Sequence, residues 1–177
     1  ARLGPFPNEI ARVAFAPDGR SLSVSGIASL TVFDRKTWQE RFNLRTDQRV
    51  IWGIAYSPDS KWLAGVGDDR TVRVWNVESG KTQWVASYTG QPITGLAFEA
   101  VGRLLADGNA LGAVRVNRIA DGRPVLAYAN REPTAIRQMA FSADRRYIAT
   151  LATDGRVELW NIESGVAAAA PPDPFGQ

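Results

Sequence analysis

Three observations predict an all-β fold built from repeated antiparallel blades, the arrangement of a β-propeller. Residues Ile51 to Asn76, IWGIAYSPDSKWLAGVGDDRTVRVWN, hold three apolar runs of strand length separated by turn residues. The unit recurs four times, because Phe15, Tyr56, Phe98 and Phe141 stand 41, 42 and 43 residues apart, each directly preceded by Ala. Ile10, Ile51, Ile93 and Ile136 lie five residues before these aromatics, and Leu22, Leu63, Leu105 and Ile148 seven after. The third runs alternate as strands do: Leu30/Val32/Phe33, Val72/Val74/Trp75, Val114/Val116/Asn117 and Val157/Leu159/Trp160. A period of about 40–45 residues with several short strands, closed by Trp, marks propeller blades.

Each element follows from its local chemistry. Ala1 to Glu9 is Pro-rich and too short for a strand and a turn. Ile10–Phe15, Leu22–Ser25 and Leu30–Asp34 make three strands, with Trp38–Leu44 as a fourth, outer one. In the second copy Ser57-Pro58-Asp59-Ser60 suits a type I turn, and Gly67-Asp68-Asp69-Arg70 supplies positive φ and side-chain hydrogen bonds. Its outer strand is expected at Thr82–Tyr88, and that of the third copy at Pro124–Ala129 after Ala120-Asp121-Gly122. The fourth copy starts at Ala135, and its outer strand falls on the alanine-rich Val166–Ala170, which Pro171-Pro172 ends. Blades are thus expected over 9–45, 50–89, 92–130 and 135–170, one unit across 1–170, with a Pro-rich tail at 171–177.

Ala16-Pro17-Asp18-Gly19, Ser57-Pro58-Asp59-Ser60, Asp69 to Asn76 (DRTVRVWN) and Asp154 to Asn161 (DGRVELWN) resemble the WD-repeat β-propeller family. The resemblance covers about residues 3–165. It implies four WD-type, four-stranded antiparallel blades, partial or completed by association, serving as a scaffold whose upper face and rims bind other proteins. The chain departs from the family in having no His, so the hydrogen-bond chain from a Gly-His pair through Ser/Thr to Trp and a turn Asp is not formed. Leu3-Gly4-Pro5 and Tyr88-Thr89-Gly90 occupy that place. Asp69 with Trp75 and Asp154 with Trp160 are its surviving structural ends. Phe33-Asp34 and Asn117-Arg118 replace Trp-Asp, and the turn Asp107 to Gly112 reads as stretched, so blades one and three read as degenerate. Asn117 is accordingly expected to contribute far less than Trp75.

Composition narrows the chemistry. With 45% hydrophobic and 22% charged residues the chain is an ordinary globular sequence, and a net charge of +3 without a basic stripe argues against nucleic acid. No apolar run reaches membrane-spanning length. The absence of Cys and His removes disulfides, thiolate metal sites and nucleophile triads, and no cofactor or metal is expected. The cytoplasm is the expected compartment. Asp68-Asp69 reads as a turn cap rather than a catalytic pair, and Gly108 to Gly112 as a long turn, since no helix follows to cradle phosphate.

The candidate site is the upper rim, where each first strand begins. Its column of Ala11, Trp52, Thr94 and Arg137 varies while its neighbours repeat, which frees it from packing and offers it for binding. Arg45, Asp47, Arg49, Arg131 and Glu132 in the linkers add to a basic-aromatic patch. Trp62 is expected on a less buried face, and Trp38 and Trp84 on outer strands. These readings point to a non-enzymatic module binding a protein or peptide. The alternatives are a small-ligand or carbohydrate site walled by Trp52 and a carboxylate-based hydrolase. Four blades are few for this blade type, so another copy or subunit is expected to cover end faces at Val13, Leu22 and Val32 on blade one and Met139, Ile148 and Leu159 on blade four.

Overall fold

The structure, a computed structural model, describes residues 3–6, 8–44, 50–88, 90–129 and 133–164. These form four separate antiparallel sheets. Blade one contains β1 (Ile10–Phe15), β2 (Ser21–Gly26), β3 (Ser29–Asp34) and β4 (Glu40–Asn43). Blade two contains β5 (Ile51–Tyr56), β6 (Trp62–Gly67), β7 (Thr71–Asn76) and β8 (Thr82–Ser87). Blade three contains β9 (Ile93–Phe98), β10 (Leu104–Asn109), β11 (Ala113–Arg118) and β12 (Pro124–Ala129). In blade four β13 (Ile136–Phe141), β14 (Tyr147–Ala152) and β15 (Val157–Asn161) are described, and the outer strand expected at Val166–Ala170 lies outside the described residues. Each blade is a plain meander, with every strand paired to its neighbour in sequence.

Short polar side chains fix the turns. Asp18, Asp59 and Asp144 accept the backbone N–H two residues on, at 2.9, 3.1 and 3.1 Å. After the third strands, Asn76 and Asn161 each accept from the two backbone N–H groups two and three residues later. Such self-capping is why Asp, Asn and Ser punctuate the sequence at these places.

The blades stack in chain order through their first strands, β1 on β5, β5 on β9 and β9 on β13, and no comparable packing joins blade four to blade one among the described residues. Three apolar layers fill the junctions. Leu30 and Val32 meet Ile51, Leu63 and Trp75; Ala64, Val66, Val72 and Val74 meet Ile93 and Leu105; Ala106, Val114 and Val116 meet Ile136, Met139 and Ile148. Among the described residues the blades form an open arc.

This order corrects several sequence expectations. The repeated aromatics point at the preceding blade, so Tyr56, Phe98 and Phe141 are half-buried, whereas Phe15, which no described blade faces, is 58% exposed. Ile51, Ile93 and Ile136 are buried, and Ile10 only half so. Val32, expected on an end face, is buried against blade two, and Met139 and Ile148 against blade three. Trp38 lies in a turn at φ 60° before β4 begins. Asp107 belongs to β10, paired with Arg115, and the turn that follows has the same ladder spacing as in blade two: Gly108 opposes Val114 as Val66 opposes Val72. Asn109 caps it, accepting from the Leu111 and Ala113 N–H groups at 2.9 Å. Blade three is not stretched.

Candidate functional site

Trp52, Thr94 and Arg137 are the second residues of β5, β9 and β13, side by side on the upper rim. Two of them are engaged in packing. The Trp52 indole Nε1 donates to the Ile93 carbonyl at 2.9 Å, and the Thr94 hydroxyl to the Ile136 carbonyl at 2.6 Å. At the first junction Ser25 Oγ donates to the Ile51 carbonyl at 3.0 Å. Every junction therefore carries one side-chain donor from the earlier blade to the first carbonyl of the next first strand. Arg137 holds the corresponding strand position on blade four, where no further described blade follows, and it is exposed. The other rim candidates, Arg45, Asp47, Arg49, Arg131 and Glu132, lie outside the described residues.

The four structural residues divide into two kinds. Trp75 and Trp160 are buried at 3% and 6% exposure. Asp69 accepts the Thr71 N–H at 2.9 Å and pairs with Arg73 at 3.3 Å, and Asp154 accepts the Arg156 N–H at 3.0 Å. Trp160 stacks on Tyr128 at 4.2 Å, and its Nε1 has no hydrogen-bond partner among the described residues, so Asp154 and Trp160 are not joined. Asp68 accepts the Val50 N–H at 3.2 Å, so both members of the Asp68-Asp69 pair serve the backbone. Among the described residues no cluster of carboxylates is placed to hold a metal.

Blade three holds a polar cluster that sequence reasoning missed. Asn117, at 1% exposure, donates its Nδ2 to Asp107 Oδ2 at 2.6 Å, and the Tyr88 hydroxyl donates to the same oxygen at 2.9 Å. The Arg115 guanidinium lies 4.0 Å from the centre of the Tyr88 ring. Burial pushes the Asp107 carboxyl up to about 6, against the pull of its two donors and Arg115, and pushes the Tyr88 hydroxyl up as well. Asn117, expected to contribute far less than Trp75, is thus buried and hydrogen-bonded. The signals available were a charged residue among apolar strand positions and a Tyr just before Thr89-Gly90.

Comparison with known proteins follows the same pattern. The profile of the WD domain, G-beta repeat, matches residues 38–76 and 124–161. Each match runs from just before or at an outer strand, β4 or β12, through the first three strands of the next blade, so a sequence repeat laces two blades together. The chain is 26% identical to Telomerase protein component 1 of Rattus norvegicus over 97% of its own length and 8% of that protein. It is 26% identical to WD repeat-containing protein SL1-17 of Schistosoma mansoni over 78% of this chain and 45% of the relative. A WD repeat-containing protein 91 homolog of Dictyostelium discoideum is 31% identical over 63% of this chain and 15% of the relative. The chain thus spans less than half of each of these relatives.

Proposed function

Because this chain belongs to the WD-repeat family, we propose that it is a non-catalytic protein-interaction module, a scaffold or sensor segment of a larger assembly. The observation that carries this reading is a pair of blade faces that no other blade covers among the described residues. On blade one Val13 and Phe15 are 64% and 58% exposed, in columns that are covered in later blades. The outer face of blade four presents Ala140, Ala149, Leu151, Leu159 and Val157, the last 64% exposed; by ladder register it corresponds to the blade-three face that receives blade four.

Apolar surface left in water forgoes about 25 cal/mol per Å², so several hundred Å² of such face weighs against a domain's marginal stability. A further blade-like surface, from another copy or another subunit, covers these faces and buries more than about 1,000 Å². Arg137 then donates to the first carbonyl of the arriving blade, continuing the series of Ser25, Trp52 and Thr94. One relative, Telomerase protein component 1, is by its name a protein component of telomerase, in keeping with this role.

Quantitative affinity capture with the tagged chain, from the cells that make it, tests the reading. A defined set of polypeptides is expected on the wild type and lost with Arg137→Glu or with Phe15→Asp. Capture of the same set by all three proteins would overturn it.

A further inference from the structure

The lower rim, opposite the Trp52–Arg137 column, carries a cleft of about 780 Å³ between the turns of blades two and three, closed on one side by Arg145 of blade four. Its floor is apolar, made by half-buried Trp62 and Leu104 and buried Ile119. At its edge Val101 is 47% exposed.

Val101 stands where the other blades carry Asp18, Asp59 and Asp144, each of which caps its own turn. In blade three that duty has moved. Glu99, at 2% exposure, accepts the Arg103 N–H at 3.2 Å and pairs with Arg145 at 3.6 Å. Moving the cap from an exposed Asp to a buried Glu keeps the turn closed and releases its apex to present an apolar side chain to water. Folding alone gives no reason for Val there, since an exposed apex is best filled by a polar residue.

Charge selects the occupant. Lys61, Arg103, Arg118 and Arg145 line the cleft against Asp59 and Glu99, a balance of four positive to two negative, or +2. Both acids are already paired, Asp59 with Lys61 at 3.7 Å and Glu99 with Arg145. Arg118 is held by Asp121 at 2.7 Å, while Arg103 is exposed and makes no ion pair among the described residues. An aromatic and aliphatic floor ringed by Arg is the composition that anchors a partner side chain.

We propose that this cleft docks a peptide segment with a large apolar anchor flanked by carboxylates, the anchor seated on Trp62, Val101 and Ile119 and the carboxylates facing Arg103. The proposal rests on the reading of the chain as a protein-binding module and adds a second surface to it.

Fluorescence anisotropy on the full chain tests it, using three labelled peptides of equal length whose central Leu-Phe pair is flanked by Asp and Glu, by Ser, or by Lys. The acidic peptide is expected to bind about tenfold or more tighter than the Ser peptide, and the Lys peptide weakest. Arg103→Glu and Val101→Asp should each weaken the acidic peptide by about tenfold or more, with Arg103→Lys retaining it. Both positions are exposed, so unfolding transitions should match the wild type. Equal binding of the three peptides, or Arg103→Glu within about twofold of wild type, would overturn the cleft, as would equal displacement by a short oligothymidine. If instead Arg137→Glu abolishes binding while Arg103→Glu does not, the cleft is wrong and the module reading stands.

Discussion

Blades two and three share one ladder and fill it differently. In blade two Leu63 opposes Trp75 and Gly65 opposes Arg73; in blade three Leu105 opposes Asn117 and Asp107 opposes Arg115. Gly65 makes room for the indole, since a Cβ there would come within 2.9 Å of the Trp75 ring. Blade three reverses both choices. The Trp position shrinks to Asn117, and the Gly position grows to Asp107, which takes up hydrogen bonds from Asn117 and Tyr88. A repeat that has lost its signature Trp is therefore no looser, because volume is exchanged across the ladder and the buried polar atoms are given partners.

Five substitutions probe that contrast. The largest effect is expected from Trp75→Ala, a loss of about 3–5 kcal/mol in chemical denaturation, the range for a buried aromatic. A loss below about 1 kcal/mol would mean the indole is not filling the first junction. Next is Asp107→Asn. Since burial holds the folded carboxyl near 6, above its ordinary 3.8, the folded wild type keeps a proton that the unfolded chain releases. Its stability therefore falls as pH rises from about 4 to 6 and is level above. The Asn variant cannot charge, keeps an acceptor oxygen for both donors, and should exceed the wild type by about 3 kcal/mol at neutral pH, with the gap closing toward pH 4. Parallel profiles in urea titrations across this window would remove Asp107 as the cause.

Asn117→Trp should cost about 1–3 kcal/mol by overpacking against Asp107, and adding Asp107→Gly should recover at least about 1 kcal/mol of it. Strictly additive losses would show that the two positions do not trade volume. Smallest is Thr94→Val, which removes the donor to the Ile136 carbonyl and should cost about 1 kcal/mol by thermal unfolding. An unchanged melting temperature would mean the series of junction donors is incidental.

The repeat columns made the fold legible from sequence alone: the strand assignments Ile10–Phe15 and Pro124–Ala129 match the structure residue for residue. Facing was less legible. Alternation says that Val32 and Phe33 point to opposite sides, but which side meets a neighbour depends on the order in which blades stack. Alternation alone therefore allows Val32 and Met139 to be expected on end faces, whereas both are buried at junctions. Asp107-Gly108-Asn109 has turn chemistry throughout, and only the pairing of Asp107 with Arg115 distinguishes a strand carrying a buried acid from a long turn. At the rim, variability of the Trp52 column suggested freedom, whereas Trp52 and Thr94 reach the same carbonyl position with different donors. Equivalent function by unlike side chains leaves no pattern to read.

Among the described residues the junctions are matched and the two ends are not. Light scattering at micromolar concentration tests it most directly. The wild-type chain is expected above its 19.3 kDa monomer mass, with Phe15→Asp or Val157→Asp returning it to that value. A monodisperse wild type of 19.3 kDa that stays stably folded alone at this concentration, unaffected by either substitution, would contradict it.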